Sequence, residues 1–491
     1  MKRVLIANRN EIAVRIIRAL KKMDMESVVV YSDADKDSLA VRLADHCVAL
    51  NGQDAGETYL NVAKIIDAAK SSHCQGIHPG YGFLSEKTEL VRECENQNLI
   101  FIGPSSGAIE IMGDKALSKK MMQDGGVPTI PGFILENGLQ NIEELTKSAR
   151  ELGYPLMVKA AAGGGGKGMR RVDHEKDLIS AMESCAREAK AAFNDDRLLI
   201  EKFVENPRHI EVQIFGDRLG NLVHVNEREC SIQRRNQKII EECPAPHFKP
   251  IQRQRICEAA LLAARLVKYE NAGTVEFVVG EDDQFYFLEM NTRIQVEHPV
   301  TEMVHGVDLV EEQIRVAMGL ELTLTAEPTP MGHAIEVRIY AEAPLGGFIP
   351  SCGSIRVLSW PEETSNLRID SGIAQGSEVS PFYDPMLAKI IAYGTDRNHA
   401  REILIKALEE VVLLGVETNI AFLLTILKDP EFIAGKTHTG FLEQRGLEDR
   451  HREEMQDFSI TDRALAHLSL VGNRATISTD PFILQIMEKK A

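Results

Sequence analysis

The feature that most constrains the fold of this chain is a pair of β-rich runs separated by an acidic turn. The runs are Val275–Val279 and Gln284–Leu288, and the turn is Glu281–Asp283. This pattern predicts a β-hairpin. If the turn is centred after its second residue, Glu276 faces Glu289 on the partner strand. Opposed carboxylates repel each other, so the hairpin predicts a shared divalent cation.

The polar positions of this segment continue beyond the hairpin. Asn291 lies two residues after Glu289, so in an extended chain it points the same way and can add an oxygen ligand. Oxygen-only ligation is typical of Mg²⁺ or Mn²⁺ held partly by substrate phosphates. We expect the strand to end at His298 and Pro299, with one polar face formed by Glu289, Asn291, Arg293, Gln295 and Glu297. Such a face is often merely solvated, but an arginine beside an amide and a carboxylate suits a small planar oxyanion.

Consecutive glycines follow a strand that carries Lys159. The run Gly163–Gly166 exposes backbone N–H groups and can close over phosphates. It is not a Walker loop, because Gly168 stands where that loop has serine or threonine. A flexible linker is the alternative. The strand Pro155–Lys159 leads directly into the glycines, which favours a phosphate-binding flap.

A third polar cluster lies between these two segments. Glu201 and Val204, at the end of a strand, could bind the edge of an adenine by side chain and backbone. The stretch Arg234–Lys238 is basic although the chain carries a net charge of −17. Alone it would be a solvated loop. Beside a phosphate flap it can line a site for polyphosphate and a small anion.

Composition excludes several classes of function. The acidic balance argues against a nucleic-acid partner, and no run approaches the roughly 18–20 apolar residues of a membrane span. The eight cysteines form no Cys-x-x-Cys pair, so we expect free thiols in a reducing compartment. These features predict a soluble cytoplasmic protein.

The order of strand and helix signals predicts several domains. In the first third, strands such as Val4–Ala7 and Val28–Tyr31 alternate with helices such as Glu11–Lys22, which indicates a doubly wound parallel sheet. The middle third has mostly antiparallel strands flanked by helices, and the last third mixes both elements. We therefore expect an α/β and α+β multidomain chain.

Four motifs resemble the biotin carboxylase family of the ATP-grasp superfold. They are the stretches 7–13 (ANRNEIA), 78–86 (HPGYGFLSE), 112–115 (MGDK) and 289–299 (EMNTRIQVEHP). The resemblance extends from Met1 to about Gly446. It implies an N-terminal α/β domain (1–113), an ATP-grasp domain (114–330) with a mobile flap subdomain (about 130–204), a C-terminal mixed α+β domain (331–446) and a tail for partner docking (447–491).

The resemblance also implies an ATP-dependent ligase that converts ATP, bicarbonate and biotin into ADP, phosphate and carboxybiotin. For ATP it implies Lys115, Lys159, Gly164, Gly165, Gly166, Glu201, Lys202, Val204, His209, Gln233, Asn236, Glu276 and Glu289. For two Mg²⁺ or Mn²⁺ ions it implies Glu276, Glu289 and Asn291. For bicarbonate it implies Lys238, Arg293, Gln295, Val296 and Glu297. Glu297 would be the base and Arg338 would stabilise the biotin enolate, with Tyr81 also at biotin.

Four positions depart from the commonest family pattern: Asn10, Ala162, Asn236 and Ala343. Asn10 stands where glycine is usual and can cap the helix at Glu11. Asn236 stands where histidine is common among acetyl-CoA carboxylases. None of the four removes a predicted metal ligand, base or arginine. We therefore expect an active enzyme rather than a scaffold that binds ATP without turnover.

The partners follow from the same resemblance. No Ala-Met-Lys-Met biotin-attachment motif occurs, and the chain after residue 446 is too short for a carboxyltransferase domain. We therefore expect biotin on a separate carrier protein, carboxyltransferase on another chain, and a homodimer. The tail and Asn236 resemble the small subunit of a two-subunit pyruvate carboxylase.

Two other enzymes remain as alternatives. The first is the biotin carboxylase subunit of an acetyl-CoA or other acyl-CoA carboxylase. The second is another ATP-grasp ligase, such as a carbamoyl-phosphate or purine-pathway enzyme, which would lack the pairing of Glu297 with Arg338.

Overall fold

The computed structural model describes residues 1–135, 142–161, 169–193, 195–324 and 329–456. Within these ranges no helix combines the length and the apolar character needed to cross a bilayer. All eight cysteines are free thiols, as predicted from their scattered positions.

The first part of the chain is a parallel sheet with helices between its strands. Its elements are β1 (Arg3–Ile6), α1 (Asn10–Lys22), β2 (Glu26–Tyr31), α2 (Leu39–Leu43), β3 (His46–Ala49), α3 (Val62–Ser71), β4 (Gly76–His78), α4 (Thr88–Asn96), β5 (Ile100–Phe101) and α5 (Ser106–Gly113). The strands lie in the order β3-β2-β1-β4-β5, and every neighbouring pair is parallel. Helix α1 buries Ile12, Ile16 and Leu20 on one face. The predicted parallel α/β arrangement is confirmed.

A four-stranded antiparallel sheet follows. Its elements are α6 (Lys115–Asp124), β6 (Gly132–Leu135), α7 (Ile142–Leu152), β7 (Leu156–Ala160), β8 (Met169–Val172), α8 (Leu178–Phe193) and β9 (Leu198–Lys202). The strand order is β6-β9-β7-β8. Strand β8 pairs antiparallel with β7. This sheet carries Lys159 and Glu201 on adjacent strands.

An eight-stranded sheet forms the centre of the remaining chain. Its first elements are β10 (Arg208–Gly216), β11 (Leu222–Arg234), β12 (Gln237–Cys243), α9 (Pro250–Leu266), β13 (Asn271–Val279), β14 (Phe285–Asn291), α10 (His298–His305) and α11 (Leu309–Ala317). The predicted hairpin register is confirmed, because Glu276 on β13 lies opposite Glu289 on β14.

The last part of the chain completes this sheet and adds a helical layer. Its strands are β15 (His333–Tyr340), β16 (Glu342–Ala343), β17 (Ile349–Pro350), β18 (Gly353–Ser354), β19 (Val357–Ser359), β20 (Leu367–Ser371), β21 (Glu378–Val379), β22 (Met386–Gly394) and β23 (Val412–Leu414). Its helices are α12 (Arg397–Glu410), α13 (Ile420–Leu427), α14 (Pro430–Ile433), α15 (Phe441–Gln444) and α16 (Leu447–Gln456). The large sheet has the order β14-β13-β10-β11-β12-β15-β22-β20. Because β12 pairs with β15, side chains from both parts share one surface.

The expected extension of the polar strand to Glu297 is wrong. Strand β14 ends at Asn291, and Glu297 is the N-cap residue of α10. Pro299 lies in the first turn of a helix rather than at the end of a strand, because proline's fixed φ and missing N–H suit that turn. The polar side chains still meet, but through a bend in the backbone and not through strand alternation.

One smaller expectation also differs from the structure. Asn10 does not cap α1; it has a φ of 59° and its side chain donates a hydrogen bond to the carbonyl of Met386. A left-handed φ favours glycine or asparagine, which accounts for asparagine where glycine is usual. The basic stretch 234–238 is a hairpin between β11 and β12, with Arg235 and Asn236 at positive φ in the turn.

Candidate active site

The ammonium group of Lys238 lies at the centre of a buried acidic cluster. Its Nζ is 2.6 Å from Glu211 Oε2, 2.8 Å from Glu276 Oε1 and 2.7 Å from Glu297 Oε1. The three carboxylates come from β10, β13 and the start of α10, and all three are buried. Lys238 alone cannot balance three negative charges, so further cations are required.

Two arginines supply that charge. Arg228 is fully buried, and its Nε donates to Glu211 at 2.5 Å. Arg338 on β15 contacts Glu297 Oε2 at 3.0 Å through Nη2, and the same nitrogen contacts Glu241. Buried charges persist only when they are paired in this way. The cluster therefore holds the predicted base, Glu297, between the predicted bicarbonate residue Lys238 and the predicted biotin residue Arg338.

The pKa values follow from burial and these neighbours. Burial raises the pKa of Glu297, but the charges of Lys238, Arg338 and Arg228 outweigh it and hold that pKa well below its ordinary value. The pKa of Glu276 is likewise lowered, against burial, by Lys238 and His209. At Glu211 burial prevails and the pKa is raised. Burial lowers the pKa of Lys238, yet the three carboxylates raise it well above its ordinary value. Glu297 is therefore ionised at neutral pH.

The predicted metal residues lie beside this cluster. Glu276 Oε2 is 2.9 Å from His209 Nε2, and its Oε1 accepts from Asn291 Nδ2 at 2.8 Å. Glu289 lies opposite Glu276 across the hairpin and is 2.9 Å from Lys115 Nζ. Two adjacent carboxylates with an amide oxygen nearby are a hard, oxygen-rich donor set. This set fits Mg²⁺ or Mn²⁺.

The predicted bicarbonate residues form one connected group. Arg293 donates to Gln295 Oε1 at 2.9 Å and to Asn291 Oδ1 at 3.0 Å. Gln295 Nε2 in turn donates to Glu276 Oε1 at 3.2 Å. Burial lowers the pKa of Arg293, but Glu86 and neighbouring carboxylates raise it above its ordinary value. A permanently charged guanidinium therefore faces the base and the metal residues.

Several of the other predicted ATP residues form two groups. In one group Glu201 is paired with Lys159 at 2.7 Å and also with Lys119. In the other, Gln233 Nε2 lies 2.7 Å from His209 Nδ1, which connects this predicted ATP residue to Glu276.

Two further predicted ATP residues, Lys202 and Val204, lie at the end of β9 and just beyond it. Lys202 Nζ donates to the carbonyls of Gly153 and Tyr154 at 2.9 and 3.2 Å. Lys202 and Val204 line a cavity of about 300 Å³. The flap residues Gly164, Gly165 and Gly166, together with Ala162, lie outside the described residues.

Tyr81, the other predicted biotin residue, donates its hydroxyl to Glu11. Burial and Glu11 raise its pKa well above the ordinary value. Tyr81 therefore stays a neutral donor and is held by the first helix, α1.

Sequence reasoning assigned no role to several residues that contact the site: Glu86, Lys119, Glu211, Arg228, Glu241 and Lys389. Glu86 accepts from the backbone N–H of Thr292 at 3.0 Å and from Arg293 Nε at 3.1 Å. It is the last residue of the 78–86 motif, so the motif contained a signal for it. Glu241 lies on β12 opposite Glu336 on β15, a pairing between distant segments that local pattern does not reveal.

Three stretches of the chain match described protein families. Residues 1–109 match "Biotin carboxylase, N-terminal domain". Residues 114–325 match "Carbamoyl-phosphate synthase L chain, ATP binding domain". Residues 336–444 match "Biotin carboxylase C-terminal domain". Together the three stretches cover most of the chain.

Two curated relatives differ in how much of their length this chain spans. The alpha component of mitochondrial methylcrotonoyl-CoA carboxylase from Mus musculus is 50% identical over 443 residues, which are 90% of this chain and 62% of the relative. A pyruvate carboxylase subunit from Methanothermobacter thermautotrophicus is 47% identical over 458 residues, which are 93% of this chain and 92% of the relative. The chain thus spans less than two thirds of the first relative and nearly all of the second.

A solved structure matches over the same region. It is the biotin carboxylase domain dimer of 2-oxoglutarate carboxylase from Hydrogenobacter thermophilus, in complex with MgADP, ADP and bicarbonate. It is 43% identical to this chain, with a TM-score of 0.86, and the match covers 91% of this chain and 98% of that chain.

We predict a pH-dependent effect of Glu241→Gln on stability. Burial raises the pKa of Glu241 to about 7, although Arg338 lowers it. The stability that the protonated carboxyl contributes is therefore complete below pH 4.5 and is lost as the pH rises through 7. Glutamine does not ionise and has no such loss. The thermal midpoint of the variant, relative to that of wild type, should therefore be higher at pH 8 than at pH 5. Glu453→Gln, at an exposed residue, is the control, and an equal offset at both pH values would contradict the prediction.

Proposed function

This chain belongs to the biotin carboxylase family, a family of ATP-dependent ligases, and we propose that it uses ATP and bicarbonate to carboxylate biotin. The observation that carries the proposal is the position of Lys238 Nζ between Glu276 and Glu297, at 2.8 and 2.7 Å. One ammonium group thereby joins a predicted metal and ATP residue to the predicted base. A bicarbonate ion bound at this ammonium would lie beside both the terminal phosphate and the base.

In the proposed mechanism the substrates bind first. Lys115, Lys159, His209 and Gln233 bind the phosphates and ribose of ATP. Glu276, Glu289 and Asn291 would hold Mg²⁺ or Mn²⁺, which neutralises phosphate charge. Bicarbonate binds between Lys238 and Arg293, with Gln295 and the backbone at Val296 completing its site. A planar guanidinium and an ammonium suit a planar oxyanion.

The first chemical step is deprotonation of bicarbonate by Glu297. The deprotonated oxygen attacks the γ-phosphorus, the bond to the β-phosphate oxygen breaks, and ADP leaves with carboxyphosphate as the product. Glu297 is a weak base while Lys238 and Arg338 contact it. Bicarbonate that takes over the contact with Lys238 would raise the proton affinity of Glu297 toward the value that general-base catalysis needs.

The second step transfers the carboxyl group. Carboxyphosphate breaks its carbon–oxygen bond and gives carbon dioxide and phosphate, and the phosphate takes the ureido N–H proton of biotin. The guanidinium of Arg338 stabilises the resulting enolate, because a fixed positive charge where negative charge develops is a strong catalytic factor. The nitrogen then attacks carbon dioxide and gives carboxybiotin.

For the holoenzyme we propose a pyruvate carboxylase, with this chain as its biotin carboxylase subunit. The match over 92% of a pyruvate carboxylase subunit supports this assignment. We further propose that biotin is attached to a carrier on a separate chain, that carboxyltransferase also lies elsewhere, and that this chain forms a homodimer. The dimeric state of the 2-oxoglutarate carboxylase domain supports the last point. An acyl-CoA carboxylase is the second candidate, favoured by the 50% identity to a component of methylcrotonoyl-CoA carboxylase.

The function predicts bicarbonate-dependent release of ADP that free biotin strongly stimulates. Stimulation is expected because biotin removes the product of the first step. ADP is measured with and without bicarbonate and biotin. ATP binding without any bicarbonate-dependent release would instead indicate a scaffold without turnover.

Glu297→Gln should abolish carboxylation, a loss of about 100-fold or more, because the amide cannot take a proton. ATP affinity, measured by calorimetry, should change less than about threefold. Glu312→Gln is the matched control, since Glu312 is a buried glutamate that bonds Thr323. Carboxylation retained by Glu297→Gln would rule out this residue as the base.

Isolation of the native complex from its source should yield a partner that carries biotin and carboxylates pyruvate. The partner is identified by mass spectrometry, and the purified complex is assayed with pyruvate, acetyl-CoA and propionyl-CoA. Selectivity for an acyl-CoA would overturn the pyruvate assignment while leaving the biotin carboxylase activity intact.

A further inference from the structure

A second buried ammonium group, that of Lys389 on β22, contacts the backbone of the candidate active site. Its side chain is 0% exposed. Its Nζ donates to the backbone carbonyl of Val296 at 2.7 Å. It also lies 3.4 Å from Glu11 Oε2 and 3.8 Å from Asp370 Oδ2. Lys389 thus contacts three separate segments at a single atom.

Two of these segments, and the strand next to Lys389, carry or contact proposed substrate residues. The Val296 carbonyl belongs to the peptide group that joins Val296 to Glu297, the proposed base. Glu11 accepts a hydrogen bond from the hydroxyl of Tyr81, a proposed biotin residue. Arg338 lies directly opposite Lys389 on the neighbouring strand. Lys389 contacts the backbone carbonyl of Val296, and it is paired with none of the side chains proposed to bind substrate.

Pairing with Glu11 accounts for the charge of this lysine only in part, because Lys389 Nζ lies 3.4 Å from Glu11 Oε2 and closer, at 2.7 Å, to the Val296 carbonyl. Asp370 already receives two hydrogen bonds from Arg368, at 3.0 and 2.7 Å. Lys389 is also opposed to a second cation, Arg338, and like charges directly opposite one another destabilise a sheet. Burial of an ammonium in the interior also carries a large desolvation penalty. The shortest contact of the ammonium is its charge-assisted hydrogen bond to the Val296 carbonyl, and pairing with Glu11 does not explain that bond.

The hydrogen bond from Lys389 reaches a peptide group that lies outside any strand or helix. Strand β14 ends at Asn291, and α10 begins at His298. The peptide between Val296 and Glu297 therefore lies in a turn outside both elements, where no sheet ladder fixes its orientation. A charge-assisted bond to the carbonyl supplies that orientation.

We propose that Lys389 is a positioning residue that fixes the 296–297 peptide and thereby the bicarbonate site and the base. This inference rests on the proposed function, because it assigns bicarbonate to that peptide. The ammonium holds the Val296 carbonyl away from the anion, so that the backbone N–H groups and the Glu297 carboxylate keep their places. Rotation of this peptide would turn a carbonyl toward the bicarbonate and repel it.

The test is steady-state kinetics of Lys389→Met, which keeps the length of the side chain and removes the ammonium. Bicarbonate-dependent ATP cleavage is measured without biotin, so that effects through Tyr81 do not enter. The KM for bicarbonate should rise about tenfold or more, as expected for loss of a charge-assisted bond. The KM for ATP should stay within about twofold. A merely structural role would not separate the two constants.

A second variant guards against a folding defect. Lys389→Met leaves Glu11 without its cation, whereas the double variant Lys389→Met/Glu11→Gln removes both charges and should fold. It should show the same rise in the KM for bicarbonate. Arg397→Met is the matched control, because Arg397 also joins a buried carboxylate, Glu242 at 2.6 Å, to a backbone carbonyl, that of Phe432 at 2.7 Å. The control should lower the thermal midpoint without changing the KM for bicarbonate.

The outcomes separate the two proposals. A folded Lys389 variant with an unchanged KM for bicarbonate, or with equal rises for bicarbonate and ATP, overturns the positioning role and leaves the proposed function standing. Wild-type protein without any bicarbonate-dependent ATP cleavage overturns the proposed function and this inference together.

Discussion

Three buried carboxylates around one ammonium group set the conditions for the rest of the structure. Glu211, Glu276 and Glu297 would repel one another without Lys238, and their partners Arg228 and Arg338 are buried as well. Removal of one partner from such a cluster costs about 3–5 kcal/mol. The sheet must therefore hold side chains from β10, β11, β12, β13 and β15 in register. The N-terminus of α10, which carries Glu297, must pack against them in a fixed position.

The eight-stranded sheet can hold these side chains in place because strands from two parts of the chain, β10–β14 and β15–β22, are hydrogen-bonded into one sheet. Pairing of β12 with β15 makes neighbours of the strands that carry Lys238 and Arg338, and both side chains contact Glu297. A substrate bound at Lys238 and one bound at Arg338 would then share Glu297, which contacts both cations. In the proposed reaction this shared carboxylate connects activation of bicarbonate with carboxylation of biotin.

Local pattern predicted the parts of the site that depend on local geometry. The register of Glu276 and Glu289 followed from a turn of three residues, and the parallel sheet followed from alternating strand and helix signals. The continuation of the strand to Glu297 was wrong, because Pro299 suits a helix start as well as a strand end. Contacts such as Arg338 with Glu241 join segments about a hundred residues apart, and no spacing along the chain indicates them. Resemblance named the substrates, and the contacts among Lys238, Glu276 and Glu297 supply a physical reason for that assignment.

Labelling of bicarbonate with ¹⁸O tests the proposed chemistry most directly. If Glu297 activates bicarbonate for attack on the γ-phosphate, one bicarbonate oxygen stays on phosphorus when carboxyphosphate breaks down. Mass spectrometry of the phosphate released during biotin carboxylation should then detect one ¹⁸O atom per phosphate. Phosphate that carries oxygen from water and none from bicarbonate would contradict attack by bicarbonate and, with it, the role given to this cluster.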